Sequence, residues 1–390
     1  MSNNCVTKMS HNTYYPRLDS IRAIAVLAVF LCHSEISRQL SVDKSPFQFS
    51  GGTYGVDVFF VLSGYLITTI LLKEILQTGT INKSRFYLNR ALRLFPAIGV
   101  ALILMVIPIY FIADKTQALS NSFFLVTYTG DIVPLFLHFF KNLQFPVFFG
   151  HSWSLAVEEQ FYLLYTFVLL FAFHYYTKFS SKKNLLDTFP TFNILFLVLL
   201  IASSIILKDR YYKFFGWRFF EIFFGCYTAL FFNMAYNRIY TGSPKTQKIT
   251  RFINKIYTNR YSLVITLILF GYFLFFNTKY FLNLNFYLIT IMASILIVNA
   301  VNVENRGLNK ILNNKTLVYL GKRSYGIYLY HYPLLASIEY GYVKFPFTIK
   351  NVYEKAFIDD SICFLLTLLI AILSYQYIEK YFLKLKRSFA

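Results

Sequence analysis

Stretches of about 20 apolar residues recur along the whole chain, and this recurrence limits the folds that are open to it. A helix needs about 20 apolar residues to cross the hydrocarbon core of a bilayer. Only helices and closed barrels satisfy every backbone polar group there. The sequence therefore predicts an all-α integral membrane protein with about ten transmembrane helices, near 18–38, 54–76, 93–113, 152–174, 190–207, 214–236, 261–277, 281–300, 323–340 and 357–379.

The distribution of basic residues predicts the sides on which the loops lie. The net charge is +20. If residues 1–17 are inside, Lys and Arg greatly outnumber Asp and Glu in the inner segments, whereas the outer segments are closer to balance. This is the positive-inside pattern, which places both termini in the cytoplasm. It also accounts for the basic charge through contact with membrane lipid, without a nucleic acid as partner.

We expect residues 1–390 to form a single membrane domain. Residues 1–17 are read as a polar cytoplasmic tail before an uncleaved first span, and no appended soluble domain is indicated. The segment 114–151 is rich in Phe and Leu and is expected to lie in the outer interface or to be re-entrant. The four cysteines are scattered, which indicates neither a disulfide framework nor a metal site.

Two ionisable residues, Arg22 and His33, lie inside the first apolar stretch. Such groups are expensive within a membrane and are therefore functional candidates. Their separation of eleven residues comes to roughly 20° past three full helical turns, so both side chains share one face. They lie about 16 Å apart along the helix axis. A polar stripe is therefore predicted through most of the first span.

The second span opens with GGTYGVDVFFVLSGYLIT, residues 51–68. Its glycines permit close approach of neighbouring helices, the usual route to tight packing in lipid. Asp57 lies at the outer mouth of this span. Two interpretations of Asp57 remain open, a helix cap and a residue that lines a cavity or channel.

Arg90 and Arg93 lie at the inner end of the third span, three residues apart and therefore on one helix face. Guanidinium groups grip phosphate oxygens bidentately, which makes the pair a candidate donor-binding site. The alternative is anchoring to lipid headgroups, as polybasic edges of membrane proteins commonly do.

The fourth span opens with HSWSLAVEEQFYLLY, in which Ser154 and Glu158 share a helix face. Glu159 points about 100° away, so at most one of the two carboxylates is expected on that face. Glu158 and His33 lie at similar depths below the outer ends of their spans, which allows a pair between imidazole and carboxylate.

Three further sets of polar residues lie in the later spans. In the sixth span, Arg218 and Glu221 are expected to neutralise each other. In the ninth, His331 either lines a substrate channel or joins a hydrogen-bond network with Ser324, Tyr325 and Tyr328. At the end of the tenth, Glu379 and Lys380 are interpreted as an interfacial anchor.

Together these motifs resemble the acyltransferase-3 family of membrane O-acyltransferases, which modify bacterial surface glycans. The matching elements include the Arg22–His33 spacing, GVDVFFVLSGYLI, the arginine pair in NRALRLFPA, WSLAVEEQFYLLY, SYGIYLYHYPL and YIEKYF. They occur in the family's order from Leu18 to about Phe382. YLYHYP and YIEKYF depart slightly from the usual family motifs, without touching a proposed catalytic group.

The resemblance implies a bacterial inner-membrane enzyme that moves an acyl group, with acetyl as our expectation. An acyl-CoA donor would come from the cytoplasm, and the acceptor would be a hydroxyl of an envelope saccharide or its lipid-linked precursor. No bound cofactor or metal is implied. It further implies that His33 is catalytic and that Arg22, Arg90, Arg93 and Glu158 are required for function. We interpret Glu158 as a second catalytic residue and the three arginines as donor-binding residues.

Ser154, Tyr325, Tyr328, His331 and Asp57 are our candidates for lining the acceptor site or channel. An imidazole can act as a general base toward a sugar hydroxyl, or it can itself be acylated and carry the group. The sequence leaves both mechanisms open.

Two other protein classes compete with this interpretation. A proton-coupled transporter of a glycan precursor or small solute also contains buried Arg, His and Glu, but many such carriers have repeated halves, and none is evident here. A lipid-linked glycosyltransferase is expected to carry acidic residues on an outer loop and a larger domain outside the membrane. Asp57 alone is little support for that class.

Overall fold

The computed structural model describes residues 14–45, 49–112, 115–133, 145–179, 215–236, 244–276, 282–301, 306–339 and 349–388, and within them it is almost wholly helical, with no β-strand. The first helices are α1 (Pro16–His33), α2 (Glu35–Val42), α3 (Tyr54–Thr78), α4 (Lys83–Ala101), α5 (Ile107–Ile112) and α6 (Lys115–Thr127). The middle of the chain forms α7 (Trp153–Phe179), α8 (Phe215–Tyr236), α9 (Pro244–Thr258), α10 (Arg260–Phe275) and α11 (Leu282–Val301). The last part forms α12 (Arg306–Leu312), α13 (Lys315–Gly321), α14 (Ser324–Glu339), α15 (Val352–Leu373) and α16 (Lys380–Ser388).

The described helices are those of a multi-pass membrane protein. Three stretches are long and apolar enough to cross a bilayer: Gly51–Ile75, Lys83–Phe111 and Val352–Leu385. Two bent pairs, α1 with α2 and α9 with α10, raise the number to five if each pair counts as one span. The expected span at 190–207 lies outside the described residues, and so do residues 114 and 134–144 of segment 114–151. The total of ten spans and the sides of the termini stay predictions.

The first span differs from the single helix that we expected over 18–38. Helix α1 ends at His33, Ser34 adopts an extended conformation, and α2 leaves at an angle of 52°. The side chain of Ser34 accepts a hydrogen bond from the backbone N–H of Ser37 and thereby caps α2. Serine is a favoured residue at this position because its hydroxyl replaces a backbone partner that the helix start lacks.

Helices α3 and α8 pack closely because glycines remove side chains from their interface. A Cβ atom at Gly64 would overlap the carbonyl oxygen of Ile222, and one at Gly225 would overlap that of Val61. Gly55 likewise allows α3 to approach the carbonyl of Ala25 on α1. The prediction that glycines of the second span permit close helix packing is confirmed.

A buried ion cluster also joins α3 to α8. The guanidinium of Arg218 pairs with Asp57 and, at 2.8 Å, with Glu221. The predicted pairing of Arg218 with Glu221 is therefore confirmed. Asp57 is fully buried in this cluster. It is not among the described residues that line a cavity between α1, α3, α4, α7 and α14. The structure thus gives Asp57 a pairing role where we predicted a cap or a cavity wall.

The π-helical turn Ser374–Glu379, which follows α15, buries a carboxylate that we had placed at the interface. Glu379 is buried and accepts a hydrogen bond of 2.7 Å from Ser374, whose hydroxyl lies 2.9 Å from the hydroxyl of Tyr330. The interpretation of Glu379 as an interfacial anchor was wrong, because the side chain is buried and hydrogen-bonded within the protein.

Candidate active site

A cavity of about 910 Å³ lies between α1, α3, α4, α7 and α14. Its wall is rich in charged side chains, with five cations and four carboxylates. The charged residues are Arg22, Lys73, Arg85, Arg90, Arg93, Asp19, Glu74, Glu158 and Glu159. Most of the residues that the sequence singled out meet here, since Ser154, Tyr325 and Tyr328 also line the cavity.

Arg90 already contacts two carboxylates and one aromatic ring. Its guanidinium donates to both carboxylate oxygens of Glu159, with the Nε contact at 3.1 Å, and lies 3.5 Å from Oε1 of Glu158. The ring of Tyr162 covers its face at 3.6 Å. The expectation that only one of the two glutamates shares this face was wrong. Their long side chains converge on one guanidinium despite the angle between them.

Glu158 is held by three donors. Oε1 accepts a hydrogen bond of 2.8 Å from Ser63 and one of 2.7 Å from Tyr162, in addition to the contact with Arg90. These contacts fix the carboxylate against the cavity wall formed by α3 and α7.

Arg93 contrasts with its neighbour Arg90. Its side chain is exposed to the cavity and forms no hydrogen bond or ion pair with another described residue. Lys73 and Arg85 also line the cavity without an ion pair inside the described part of the chain. The cavity therefore presents three cations that form no ion pair with another described residue.

Arg22 is oriented by Asp19, three residues earlier on α1, at 2.9 Å. Asp19 also accepts a hydrogen bond of 2.8 Å from the hydroxyl of Tyr14. Burial and this hydrogen bond raise the pKa of Tyr14 above its usual value. Tyr14 therefore stays a neutral donor that helps to hold Asp19 beside Arg22.

One part of the cavity wall is closed by a hydrogen bond between α7 and α14. The hydroxyls of Ser154 and Tyr328 lie 2.5 Å apart, and the Tyr328 hydroxyl also donates to the backbone carbonyl of His151 at 3.1 Å. The ring of Tyr328 lies 5.6 Å from that of His331. Tyr328 thus lines the charged cavity and also lies beside His331, which forms a cluster of imidazoles with His33 and His151.

Nδ1 of His33 lies 3.1 Å from Nε2 of His331, whose own Nδ1 lies 2.6 Å from the carbonyl oxygen of Tyr328. A carbonyl oxygen only accepts, so Nδ1 of His331 carries the proton and Nε2 is left as an acceptor in the neutral ring. Nδ1 of His33 must then donate, which leaves the lone pair of His33 on Nε2. His331 is fully buried. Of the two interpretations of this residue, its burial favours membership of a hydrogen-bond network and not the lining of a substrate channel.

The imidazole partner of His33 is therefore His331, whereas the described partners of Glu158 are Ser63, Tyr162 and Arg90. Among the residues that line the cavity, neither histidine appears. The predicted pair of His33 with Glu158 is not among the described contacts, and both roles stay predictions.

His151 is a member of the imidazole cluster that sequence reasoning missed. Its ring centroid lies 5.1 Å from those of Tyr328 and His331, and 5.0 Å from that of Tyr332. The signal was present in the sequence, because His151 precedes Ser154 by three residues and therefore falls near the same face. Across the described residues, no group of three or more His, Cys, Asp or Glu is arranged to hold a metal ion.

Known proteins are similar to this chain over almost its whole length. A family model described as an acyltransferase domain matches residues 15–376. O-acetyltransferase OatA of Staphylococcus aureus strain NCTC 8325 / PS 47 is 30% identical over 388 residues, 95% of this chain and 58% of that protein. SACOL0978 of S. aureus strain COL, provisionally named an O-acetyltransferase, is 31% identical over 97% of this chain and 59% of its own length. The chain thus spans less than two thirds of these relatives, and no solved structure matches it.

Proposed function

Because the chain belongs to the acyltransferase-3 family, which its motifs resemble, we propose that it is a membrane O-acetyltransferase. It would take an acetyl group from acetyl-CoA and transfer it to a hydroxyl of an envelope saccharide. The observation that carries this proposal is the charged cavity, whose wall includes Tyr328, a neighbour of His331 in the His33–His331 pair.

The cavity suits a donor that carries several phosphates. Arg93, Lys73 and Arg85 form no ion pair with another described residue, so their charges are available to an anionic ligand. Charge-assisted hydrogen bonds from such groups are about twice as strong as neutral ones. The volume of about 910 Å³ is near the upper end for small-molecule sites, which suits a long, flexible donor. Arg93 and Arg22 would bind the phosphates, while Arg90 would act through the position of Glu158.

The arrangement in the membrane follows from the charge distribution. We propose ten spans with both termini in the cytoplasm of a bacterial inner membrane, as the positive-inside pattern indicates. Arg22 then lies near the inner end of α1 and His33 at its outer end. The donor would enter the cavity from the cytoplasm, and the acceptor would approach His33 from outside.

In the reaction we propose, Nε2 of His33 removes the proton from the acceptor hydroxyl as its oxygen attacks the thioester carbonyl. The new C–O bond forms, the C–S bond breaks, and the proton passes to the leaving thiolate of CoA. His331 would fix the His33 tautomer, as the orienting member of a catalytic set does. A two-step route, in which Nε2 is itself acetylated before transfer, uses the same nitrogen.

Glu158 keeps a catalytic role in this proposal. Its contacts with Ser63, Tyr162 and Arg90 support a role in holding the cavity wall against which the donor lies. Its negative charge would also favour the imidazolium that forms on His33, although Arg90 offsets part of that charge.

The experiment is transfer of radiolabelled acetyl from acetyl-CoA by the purified full chain in proteoliposomes. The acceptor is the saccharide fraction of the envelope of the expressing bacterium. We expect label in the saccharide with the native protein and none with His33→Ala, at equal protein levels. Saccharide that stays unlabelled with intact native protein would overturn the proposal and favour a carrier.

A further inference from the structure

Helix α15 contacts the chain on both sides of His33, although it lies more than 300 residues further along. Phe30, one turn before His33, packs its ring against Phe364 with centroids 5.0 Å apart. Just after His33, the start of α2 contacts Asp360, which lies one turn before Phe364 on α15. The last turn of α1 is therefore attached to one helix at two points that bracket His33.

The contact with Asp360 is a hydrogen bond to each of two backbone N–H groups. Oδ1 accepts from the backbone N–H of Glu35 at 2.8 Å, and Oδ2 from that of Ile36 at 2.9 Å. These are the first two residues of α2, whose N–H groups have no partner within the helix. The third, Ser37, is served by the hydroxyl of Ser34. Asp360 itself is buried.

The bend that these bonds hold determines where His33 points. His33 is the last residue of α1, and its Nδ1 must meet Nε2 of His331 on α14. Phe30 also packs with Leu335 of α14 and Cys363 of α15, so both helices contact the last turn of α1. Without the attachment at Asp360, the chain after His33 could continue as a straight helix and carry the imidazole away from His331.

We propose that Asp360 is a positioning residue for His33, acting through the start of α2. Its carboxylate is suited to this role because it supplies one acceptor oxygen to each N–H group. Its negative charge is also attracted to the positive end of the helix dipole. The inference rests on the proposed role of His33 in acetyl transfer. Asp360 contacts neither donor nor acceptor in this account.

Asp360→Asn tests the proposal with little change of shape. The amide keeps one acceptor and places an NH₂ group against a backbone N–H, so one hydrogen bond is lost and two donors oppose each other. We expect kcat for acetyl transfer to fall by about tenfold or more, because a charge-assisted bond at the bend is lost. The KM for acetyl-CoA should stay within about twofold, because Asp360 does not line the cavity.

Asp359→Asn is the matched control. Asp359 is the next residue on α15, is also buried, and pairs with Lys355 on the same helix at 2.8 Å. Its substitution removes the same charge but leaves α2 untouched, so kcat should stay near that of the native protein. The pH dependence of kcat should change with Asp360→Asn and not with Asp359→Asn, since only the former disturbs the pair of imidazoles.

A native kcat per folded molecule in Asp360→Asn, with only a lower yield of protein, would overturn the proposal. If Asp360→Asn does not accumulate, Ser34→Ala removes the neighbouring acceptor at the same bend without touching α15. Ser34→Ala should lower kcat and leave the KM for acetyl-CoA unchanged, and a native kcat there would also overturn the proposal. His33→Ala is assayed in parallel. An active His33→Ala would refute the proposed function, whereas an inactive one beside a fully active Asp360→Asn would refute only this inference.

Discussion

Arg90 and Arg93 lie three residues apart on α4, but their contacts differ and indicate different roles. Arg90 donates to Glu159 through Nε and one terminal nitrogen, lies close to Glu158, and has the ring of Tyr162 over its face. To bind phosphate, Arg90 would have to give up these contacts. Arg93 would give up no hydrogen bond or ion pair to another described residue, so its guanidinium can meet a phosphate at lower cost.

Arg93→Ala should therefore raise the apparent KM for acetyl-CoA by about tenfold, the size expected for one lost charge-assisted contact. Arg93→Lys should recover part of the loss, because an ammonium keeps the charge but not the planar fork. Lys83→Ala, at the start of the same helix and outside the cavity lining, is the control and should leave KM unchanged. Steady-state kinetics with acetyl-CoA as the varied substrate measure these KM values. Equal effects of Arg93→Ala and Lys83→Ala would point to general membrane anchoring.

The pair of imidazoles gives a second test at this scale. The side-chain amide of Gln reaches about as far as Nε2 of histidine and can accept from His33, whereas the amide of Asn ends nearer to Nδ1. We expect His331→Gln to retain more transfer than His331→Asn or His331→Ala. Loss of the oriented base should cost about 10²-fold or more in kcat in the latter two. Native kcat in all three variants would remove His331 from the mechanism.

At the scale of the elements, α3 is the helix on which the others converge. It packs on α1 and α8 through glycines and holds Arg218 of α8 through Asp57. Ser63, on the face of α3 that lines the cavity, holds Glu158 of α7. Loss of the α3–α8 contact should therefore disturb both the stability of the protein and the cavity wall.

Gly64→Ala should destabilise the protein by about 1–3 kcal/mol, because the added methyl group meets the backbone of α8 and not a movable side chain. Gly99→Ala on α4 is the matched control, since a Cβ there meets no atom within 4 Å. It should leave stability unchanged or slightly higher, because alanine is the better helix former. Thermal unfolding in detergent measures both. A Gly64→Ala variant as stable as Gly99→Ala would refute this description of the interface.

The sequence predicted what depends on local pattern. Apolar length predicted helices, glycine spacing predicted close packing, and the spacing of Arg218 and Glu221 predicted their pairing. It did not predict contacts that depend on how distant helices meet. Asp57 and Arg218 are 161 residues apart, and His33 and His331 are 298 apart.

The bend after His33 was missed for a related reason. Only a serine marks the break after His33, and serine is tolerated within helices. The partner that makes the break favourable is Asp360, which lies 325 residues from Glu35. Glu379 was misjudged likewise, because its burial depends on how the π-helical turn packs against α4, a helix almost 300 residues earlier in the chain.

For the whole molecule, the account depends on which side of the membrane each end of α1 faces. Single cysteines in a cysteine-free background, treated with membrane-impermeant thiol reagents, measure this directly. A cysteine at Ser181 should react only from the cytoplasm and one at Ser45 only from outside, as the positive-inside pattern requires. The reverse labelling would invert the topology and contradict the proposed entry of the donor.

The central claim is that donor and acceptor enter from opposite faces and react at His33. Vesicles of known orientation, with labelled acetyl-CoA supplied only on the cytoplasmic face and saccharide acceptor only on the other, test it in one measurement. We expect the native protein to label the saccharide and His33→Ala to leave it unlabelled at equal protein content. Labelling that requires donor and acceptor on the same face, or that persists in His33→Ala, would contradict the account.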